Sequence, residues 1–381
     1  ILVLNTEELH ICNALGYVLA EDVFSLIDLP PFNKSAMDGY AVCDNDNSKV
    51  LDVVGVVRAG SLPDVSVAIG KAVKIMTGAP VPEGTGKIVI KENVTCLENN
   101  RIQILIDSKA KNICFQGEDI NKGQLIYKAG TYITEIVLAN IVSSGISKIE
   151  VYRKPSVAVV TTGDELLAPG EKYCAGKIYN SNGILLKSLL GKYGIEIVNI
   201  KNITDDKKAM RDGVSKILEE ADLVVLTGGI SVGDYDFTKE ILEDFGAEII
   251  FHKIAMKPGK PVGFFKLGNK GIFALPGNPV SVYVSFFQFV LPAVYKMQGM
   301  SELRRVKKIR LSKNINVKKS DREVLLPVIL TDNNDIILSE YHGSGHLYAL
   351  STCNAFLVVP IGTDVLEAGL EVELGLIRGC E

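Results

Sequence analysis

Along the chain the spacing of apolar residues changes several times, and each change predicts a different kind of structure. Over residues 1 to about 22, Leu9, Leu15, Val18 and Leu19 fall on helical spacing, which predicts the tail of an amphipathic helix. From there to about Gly123 the pattern shortens into alternating runs such as Ala72-Val73-Lys74-Ile75-Met76, punctuated by Gly and Pro. That is the pattern of a small β-rich domain, placed at 25–123. Residues 134–145 read as a helix that packs back on the first segment, making a discontinuous lobe of 1–24 and 124–150.

The central region, 151–301, alternates apolar runs with helical ones: strand at 156–161, helix at 182–193, strand at 195–200, helix at 205–220, strand at 222–227, helix at 238–245. Leu223-Val224-Val225-Leu226 is a continuous apolar run, as expected of a strand buried on both faces. Such repetition implies a doubly wound parallel α/β sheet, with its ligand site beyond the C-terminal ends of the strands. Residues 302–381 return to short β runs with turns such as Asp332-Asn333-Asn334-Asp335, which predicts a small C-terminal β-barrel. The fold expected is therefore multidomain, α/β plus β.

Composition sharpens this picture at a few points. At 381 residues the chain is too long for one ordinary core, and 47% hydrophobic with 23% charged residues is a globular balance. A net charge of -4 gives nucleic-acid binding no electrostatic support. The basic run Arg304, Arg305, Lys307, Lys308 and Arg310 reads as a solvated face. Seven scattered cysteines without a C-x-x-C pair are expected to be reduced thiols of a cytoplasmic protein. His342 and His346 form the only close histidine pair, which is no zinc signature. The apolar stretch 280–294, interrupted by Gln288 and Pro292, is expected to be too short to span a bilayer, and no signal peptide is expected at the N-terminus. A start at Ile1 without Met suggests that a little of the natural N-terminus is missing.

Candidate chemistry concentrates in turns. Thr161-Thr162-Gly163-Asp164-Glu165 follows the first α/β strand, and Thr227-Gly228-Gly229-Ile230-Ser231-Val232-Gly233-Asp234 follows the third. Glycines let backbone amides approach a phosphate, although each turn alone is equally a plain strand-to-helix connection. Lys253, Lys257 and Lys260 cluster in a segment stiffened by Pro258, Gly259 and Pro261, which suits an oxyanion. Leu275-Pro276-Gly277-Asn278-Pro279 ends a strand and enters a helix, with Pro279 suited to the first helical turn. The acids of these turns could hold a hard cation, and Asp205 and Asp234 serve equally well as helix N-caps. For Asp206 and Asp236 the capping reading is preferred. No serine–histidine–carboxylate or cysteine–histidine set supports acyl transfer.

Taken together, these segments resemble the molybdopterin molybdenumtransferase family, MoeA and the E domain of gephyrin. The matching runs are PPFNKSAMDGYAV, IMTGAPVP, GEDINKG, AVVTTGDEL, YNSNG, TGGISVGDYD, MKPGKP, LPGNPVS and HGSGHLYAL, in one order from Leu29 to about Pro360. The resemblance implies an elongated homodimer of four-domain subunits with a molybdopterin-binding α/β domain. It places the site between that domain in one subunit and the N-terminal lobe of the other. It implies molybdenum insertion: molybdate is loaded onto the dithiolene of adenylated molybdopterin and AMP is released, with Mg2+ as cofactor. The adenylyltransferase and molybdoenzyme maturation factors are candidate partners, and neither nucleic acid nor a membrane is expected.

The resemblance also implies roles. Asp38, Asp119, Glu165, Lys257 and Lys260 would be catalytic, with Asp38, Thr77 and Asp119 lining the insertion site from the N-terminal lobe. Thr162, Gly163, Gly228, Gly229, Ser231, Lys253, Pro276 and Pro279 would bind substrate, joined by Arg322 and Ser344 from the C-terminal domain. Asp205 and Asp234 would hold the metal. Cys114 stands where the family usually has Arg, which removes one cation from an anion-binding loop, and Gly86 or Lys87 stands where it usually has Asp. Two other readings stay open. An adenylyltransferase shares the α/β domain, but its relatives carry TGGTG where this chain has TGGISVGD. A scaffold or nucleotide-sensing module could keep the fold without the chemistry, against which stand the retained lysines and carboxylates.

Overall fold

The computed structural model describes residues 2–229, 237–300, 306–341 and 343–377. Its N-terminal segment is not the expected helix. Thr6–His10 is a strand paired antiparallel with Lys148–Tyr152, which pairs in turn with Val18–Leu19. Only the short 3-10 turn Ile11–Asn13 is helical, and Gly16 at φ +76° closes off any continuation. The partner strand lies far downstream, so pairing overrides the local spacing of Leu9, Leu15, Val18 and Leu19. Residues 135–143 do form a helix, Glu135–Ser143, capped by the Thr134 side chain accepting from Val137 N–H. Ile141 of that helix shares a core with Ile11, Leu19 and Val151. The intervening region folds into a six-stranded sheet in the order Lys87–Ile90, Gly39–Val42, Lys71–Ile75, Val50–Val57, Arg101–Ile104 and Val94–Leu97.

The central sheet runs Ile197–Ile203, Val157–Thr162, Leu223–Thr227, Lys270–Leu275, Gly263–Leu267, Glu248–His252. The first four strands are parallel, as expected, and Gly263–Leu267 runs antiparallel to both its neighbours, so that Glu248–His252 points the same way as the first four. The reversal follows from the two-residue loop Gly268-Asn269, with Gly268 at φ +58°, because so short a connection admits only a hairpin. Alternate residues of the parallel strands feed two cores. Val157, Val159, Leu223 and Val225 meet Leu186, Leu190 and Val280, while Ala158, Val160, Val224 and Leu226 meet Met210, Val214, Ile217 and Ile241. Helices Ser181–Lys192 and Pro279–Ser285 therefore cover one face, and Lys207–Glu220 and Phe237–Asp244 the other.

Residues 279–297 continue as one helical run, longer than the sequence pattern indicates. A π turn, Phe286–Val290, in which Leu291 N–H reaches the Phe286 carbonyl, carries the chain past Pro292 into Leu291–Met297. This run is long and apolar enough to cross a membrane by length and composition alone, yet 67% of its most apolar window is buried inside the protein, as in a core helix. The C-terminal region forms a sheet in the order Glu323–Leu330, Ala355–Val359, Glu371–Leu376, Val306–Arg310. A strand from the α/β region, Met256–Lys257, pairs in parallel with Glu323–Leu330 and extends that sheet. No disulfide forms among the described cysteines.

Asp222 anchors the junction between the lobe and the α/β domain. Arg153 donates through both guanidinium nitrogens to its carboxylate at 2.8 and 3.0 Å, and Ser156 adds its backbone N–H and hydroxyl. Burial disfavours the charged carboxylate, but these donors outweigh it and hold Asp222 at about 2 against an ordinary 3.8. A depressed folded pKa contributes stability that is fully present above the unfolded value and is lost as pH falls through the folded one. Arg153→Ala is therefore expected to lower stability by about 2 kcal/mol at neutral pH. In urea unfolding the deficit should shrink between pH 4 and pH 2, and a deficit independent of pH over that window would refute the account.

Candidate active site

Three neighbouring parallel strands, Val157–Thr162, Leu223–Thr227 and Lys270–Leu275, end at one edge of the sheet. Beyond that edge lies a cavity of about 520 Å³, where an open α/β sheet places its ligand. Its walls come from the three turns read in the sequence: Thr162 and Glu165, Gly228 and Gly229, Pro276 and Pro279, with Asp205 between them. The glycines are there for space. A Cβ on Gly228, at φ +92°, would sit 2.4 Å from the Thr162 carbonyl oxygen. One on Gly163, at φ +147°, would sit 2.6 Å from the Glu165 carboxylate.

The acids divide by role. Asp206, not Asp205, caps the helix Lys207–Glu220, accepting from Ala209 N–H at 2.8 Å. Asp205 is thereby released to line the cavity, and its pKa is raised by burial and by the negative charges of Glu165 and Asp164. Like charges gathered around a partly buried carboxylate suit a cation. Among the described residues, however, no group of three or more His, Cys, Asp or Glu could hold a metal by itself. Ser231 and Asp234 lie outside the described residues, so of the two expected metal ligands only Asp205 is placed.

Asn180 and Asn182 join the site without having been assigned a role from the sequence. Asn180 caps Ser181–Lys192 by accepting from Gly183 N–H at 3.0 Å and donates to Thr161 Oγ1 at 2.8 Å. Asn182 lines the cavity and donates to Thr227 Oγ1 at 3.2 Å and to the Gly277 carbonyl at 2.6 Å. Both belong to the run YNSNG, so the signal was present. An Asn at a helix start reads first as a cap, and only the fold shows that the second one ties two of the turns together.

The lysines are less concentrated than their spacing suggests. Lys257 lines a separate cavity of about 370 Å³ between the α/β domain and the C-terminal sheet, with Lys318, Ser339 and Tyr341. Lys253, at φ +64°, and Lys260 are exposed and line neither cavity. The loop at Gly343–Gly345 borders both, Gly343 on the lysine side and Gly345 on the acid side. Ser344 in that loop accepts from Asn278 Nδ2 at 2.9 Å, which draws the C-terminal domain against the strand ends. Arg322 points to neighbouring Asp321 and lines neither cavity.

Asp38 and Thr77 meet in the N-terminal half. Asp38 accepts from the Thr77 backbone and hydroxyl at 2.8 and 2.7 Å and from Lys91 at 3.4 Å, which holds it at about 2. Asp119 is exposed in the loop whose backbone bonds to Leu29. None of these three lines the acid cavity of its own chain. Cys114 pairs in register with Lys34, and its thiol is pushed up by burial and by Glu118.

Comparison with known proteins decides the family. A model described as the MoeA N-terminal region (domain I and II) matches residues 1–145, one described as a probable molybdopterin binding domain matches 158–296, and one described as the MoeA C-terminal region (domain IV) matches 308–377. Molybdopterin molybdenumtransferase of Haemophilus influenzae is 38% identical over 318 residues, covering 83% of this chain and 78% of that protein. The Staphylococcus epidermidis enzyme is 34% identical over 376 residues, covering 96% and 90%. The chain belongs to the molybdopterin molybdenumtransferase family. A solved molybdopterin biosynthesis protein from Pyrococcus horikoshii superposes with a TM-score of 0.79 at 31% identity, covering 98% of this chain and 95% of that one. The chain is thus a transferase with a role in molybdenum cofactor biosynthesis.

The glycine turn is the most exacting part of the site. Gly228→Ala is expected to cost at least about 2 kcal/mol, because the left-handed backbone and the Thr162 contact penalise the same methyl group. An unchanged urea midpoint would show that the turn can shift to admit it.

Proposed function

We propose that this chain inserts molybdate into the dithiolene of adenylated molybdopterin and releases AMP in a Mg2+-dependent step. What carries the reading is the adjacency of two unlike cavities across one loop. One is acid-lined, with glycine turns and the start of a helix; the other presents Lys257 and Lys318. The first suits the phosphate end of a nucleotide together with its cation, and the second suits an oxyanion.

Glu165 and Asp205 fit Mg2+, which commonly takes one or two carboxylates and completes its shell with water and substrate phosphates. The ion would supply charge neutralisation at the phosphate bridge when bound. The protein's share is positioning. Amides of the Gly228–Gly229 turn approach the phosphates, Asn182 fixes the turns relative to one another, and Lys257 holds molybdate from the neighbouring side. In the insertion, two thiol protons leave with one oxo ligand of molybdate as water while two Mo–S bonds form. Hydrolysis of the phosphate bridge then breaks one P–O bond and frees AMP. Asp38, Thr77 and Asp119 fall away from this cavity within one chain. A homodimer that brings them from the partner subunit would complete the insertion site, with Asp38 held ionised by Thr77.

Purified protein given adenylated molybdopterin and Mg2+ is expected to release AMP only when molybdate is added. AMP release indifferent to molybdate would sink the insertase reading. Lys257→Ala should lower molybdate-dependent turnover by about 100-fold, the scale of losing one charged donor to an oxyanion, without shifting the melting temperature.

A further inference from the structure

The C-terminal sheet turns one face toward the helical run of residues 279–297, and the two enclose a cavity of about 130 Å³ that the proposed reaction does not use. Strand alternation selects its sheet wall. Glu323 and Leu325, Phe356 and Val358, and Glu373 and Gly375 all face it from three neighbouring strands. The opposite wall is aromatic, from Tyr193, Phe287 and Tyr295.

Three features of this cavity converge. First, two exposed carboxylates, Glu323 and Glu373, stand on its sheet wall with no ion-pair partner among the described residues. Lys308, opposite Glu373 in the strand register, lies 3.9 Å from Glu371 instead. Glu323 and Glu373 stand two strands apart and about two residues out of line. Their Cα atoms are therefore about 12 Å apart, within reach of two extended glutamates closing on one small group. Second, the rings form a cluster, Tyr193 lying 6.5 Å from Phe287 and 6.2 Å from Tyr295 between centroids. Aromatic faces attract cations, and Lys192 already rests 5.6 Å from the Tyr193 centroid. Third, the π turn Phe286–Val290 occurs here, presenting consecutive residues Phe287 and Gln288 to the cavity. Such turns recur at functional sites. Gly375 lines the floor, where a Cβ would make only ordinary contact with Gln288 Nε2 at 3.6 Å and a larger side chain would take up the space.

We propose that this cavity binds a small organic cation, an alkylammonium or guanidinium head, between Glu323 and Glu373 and against the aromatic wall. At about 30 Å³ per water-sized group, it has room for a head of about four heavy atoms. The same chemistry is offered by a free amine and by a basic side chain of a partner protein. The site is independent of the molybdate reaction, because it shares no lining residue with either cavity used there; Val324, next to Glu323 in the strand, lines the lysine cavity instead.

Calorimetric titration of the full chain with tetramethylammonium, and separately with a capped Gly-Arg-Gly peptide, tests this at low ionic strength. Saturable one-site binding of at least one probe is expected, weakened tenfold or more in Glu323→Gln and in Glu373→Gln and abolished in Gly375→Leu. Tighter binding of tetramethylammonium supports a free amine as the occupant, and tighter binding of the peptide supports a basic side chain. Absence of saturable binding by either probe, or equal affinity in the wild type and both glutamine variants, overturns the proposal. The glutamine variants alter exposed side chains and keep the test decisive if Gly375→Leu fails to fold.

Discussion

Burial of the central strands on both faces is the constraint from which the rest of the molecule follows. Val157–Thr162 and Leu223–Thr227 have no residue open to solvent, so alternate side chains must enter two separate cores and helices must cover both sides. With both faces covered, only the strand ends remain for chemistry. Parallel pairing then brings three of those ends to the same edge, about 4.8 Å apart, and their turns have to pack against one another. That crowding is why Gly228 approaches the Thr162 backbone so closely, and why Asn182 can bind two turns at once.

The N-terminal half and the α/β cavity treat carboxylates in opposite ways. Asp38, receiving two hydrogen bonds from Thr77 and one from Lys91, is held far into its ionised form. Asp205, part-buried beside Glu165 and Asp164, is pushed toward its neutral form. Groups driven apart in this manner commonly divide labour in a reaction, one serving as a fixed charge and the other responding to a cation or a proton. Under the proposed function, the N-terminal half would shape the pocket and the α/β half would meet the charged substrate.

The sequence made the α/β domain legible because fully buried strands write themselves as continuous apolar runs and their turns must carry glycine. The cavity residues Thr162, Glu165, Gly228, Gly229, Pro276 and Pro279 followed from that pattern. It failed where the deciding partner is remote. Thr6–His10 is a strand because Lys148–Tyr152 pairs with it, and Lys257 faces the C-terminal sheet because Met256–Lys257 joins that sheet. Neither fact is visible within a short window. The division between Asp206 as helix cap and Asp205 as a site acid was legible, since the capping reading was preferred for Asp206 and the structure has it there.

Met256–Lys257 has a further consequence for how the molecule holds together. Two residues of one domain complete the hydrogen-bonded edge of another, and Met256 is 5% exposed there. The domains are therefore stitched by backbone as well as by side chains, and neither would present a finished surface alone. A chain shortened before residue 306 would leave a raw strand edge and an uncovered aromatic helix face, which are the ingredients of aggregation. The boundary drawn by sequence similarity between the two regions is thus not a line along which the protein could be cut.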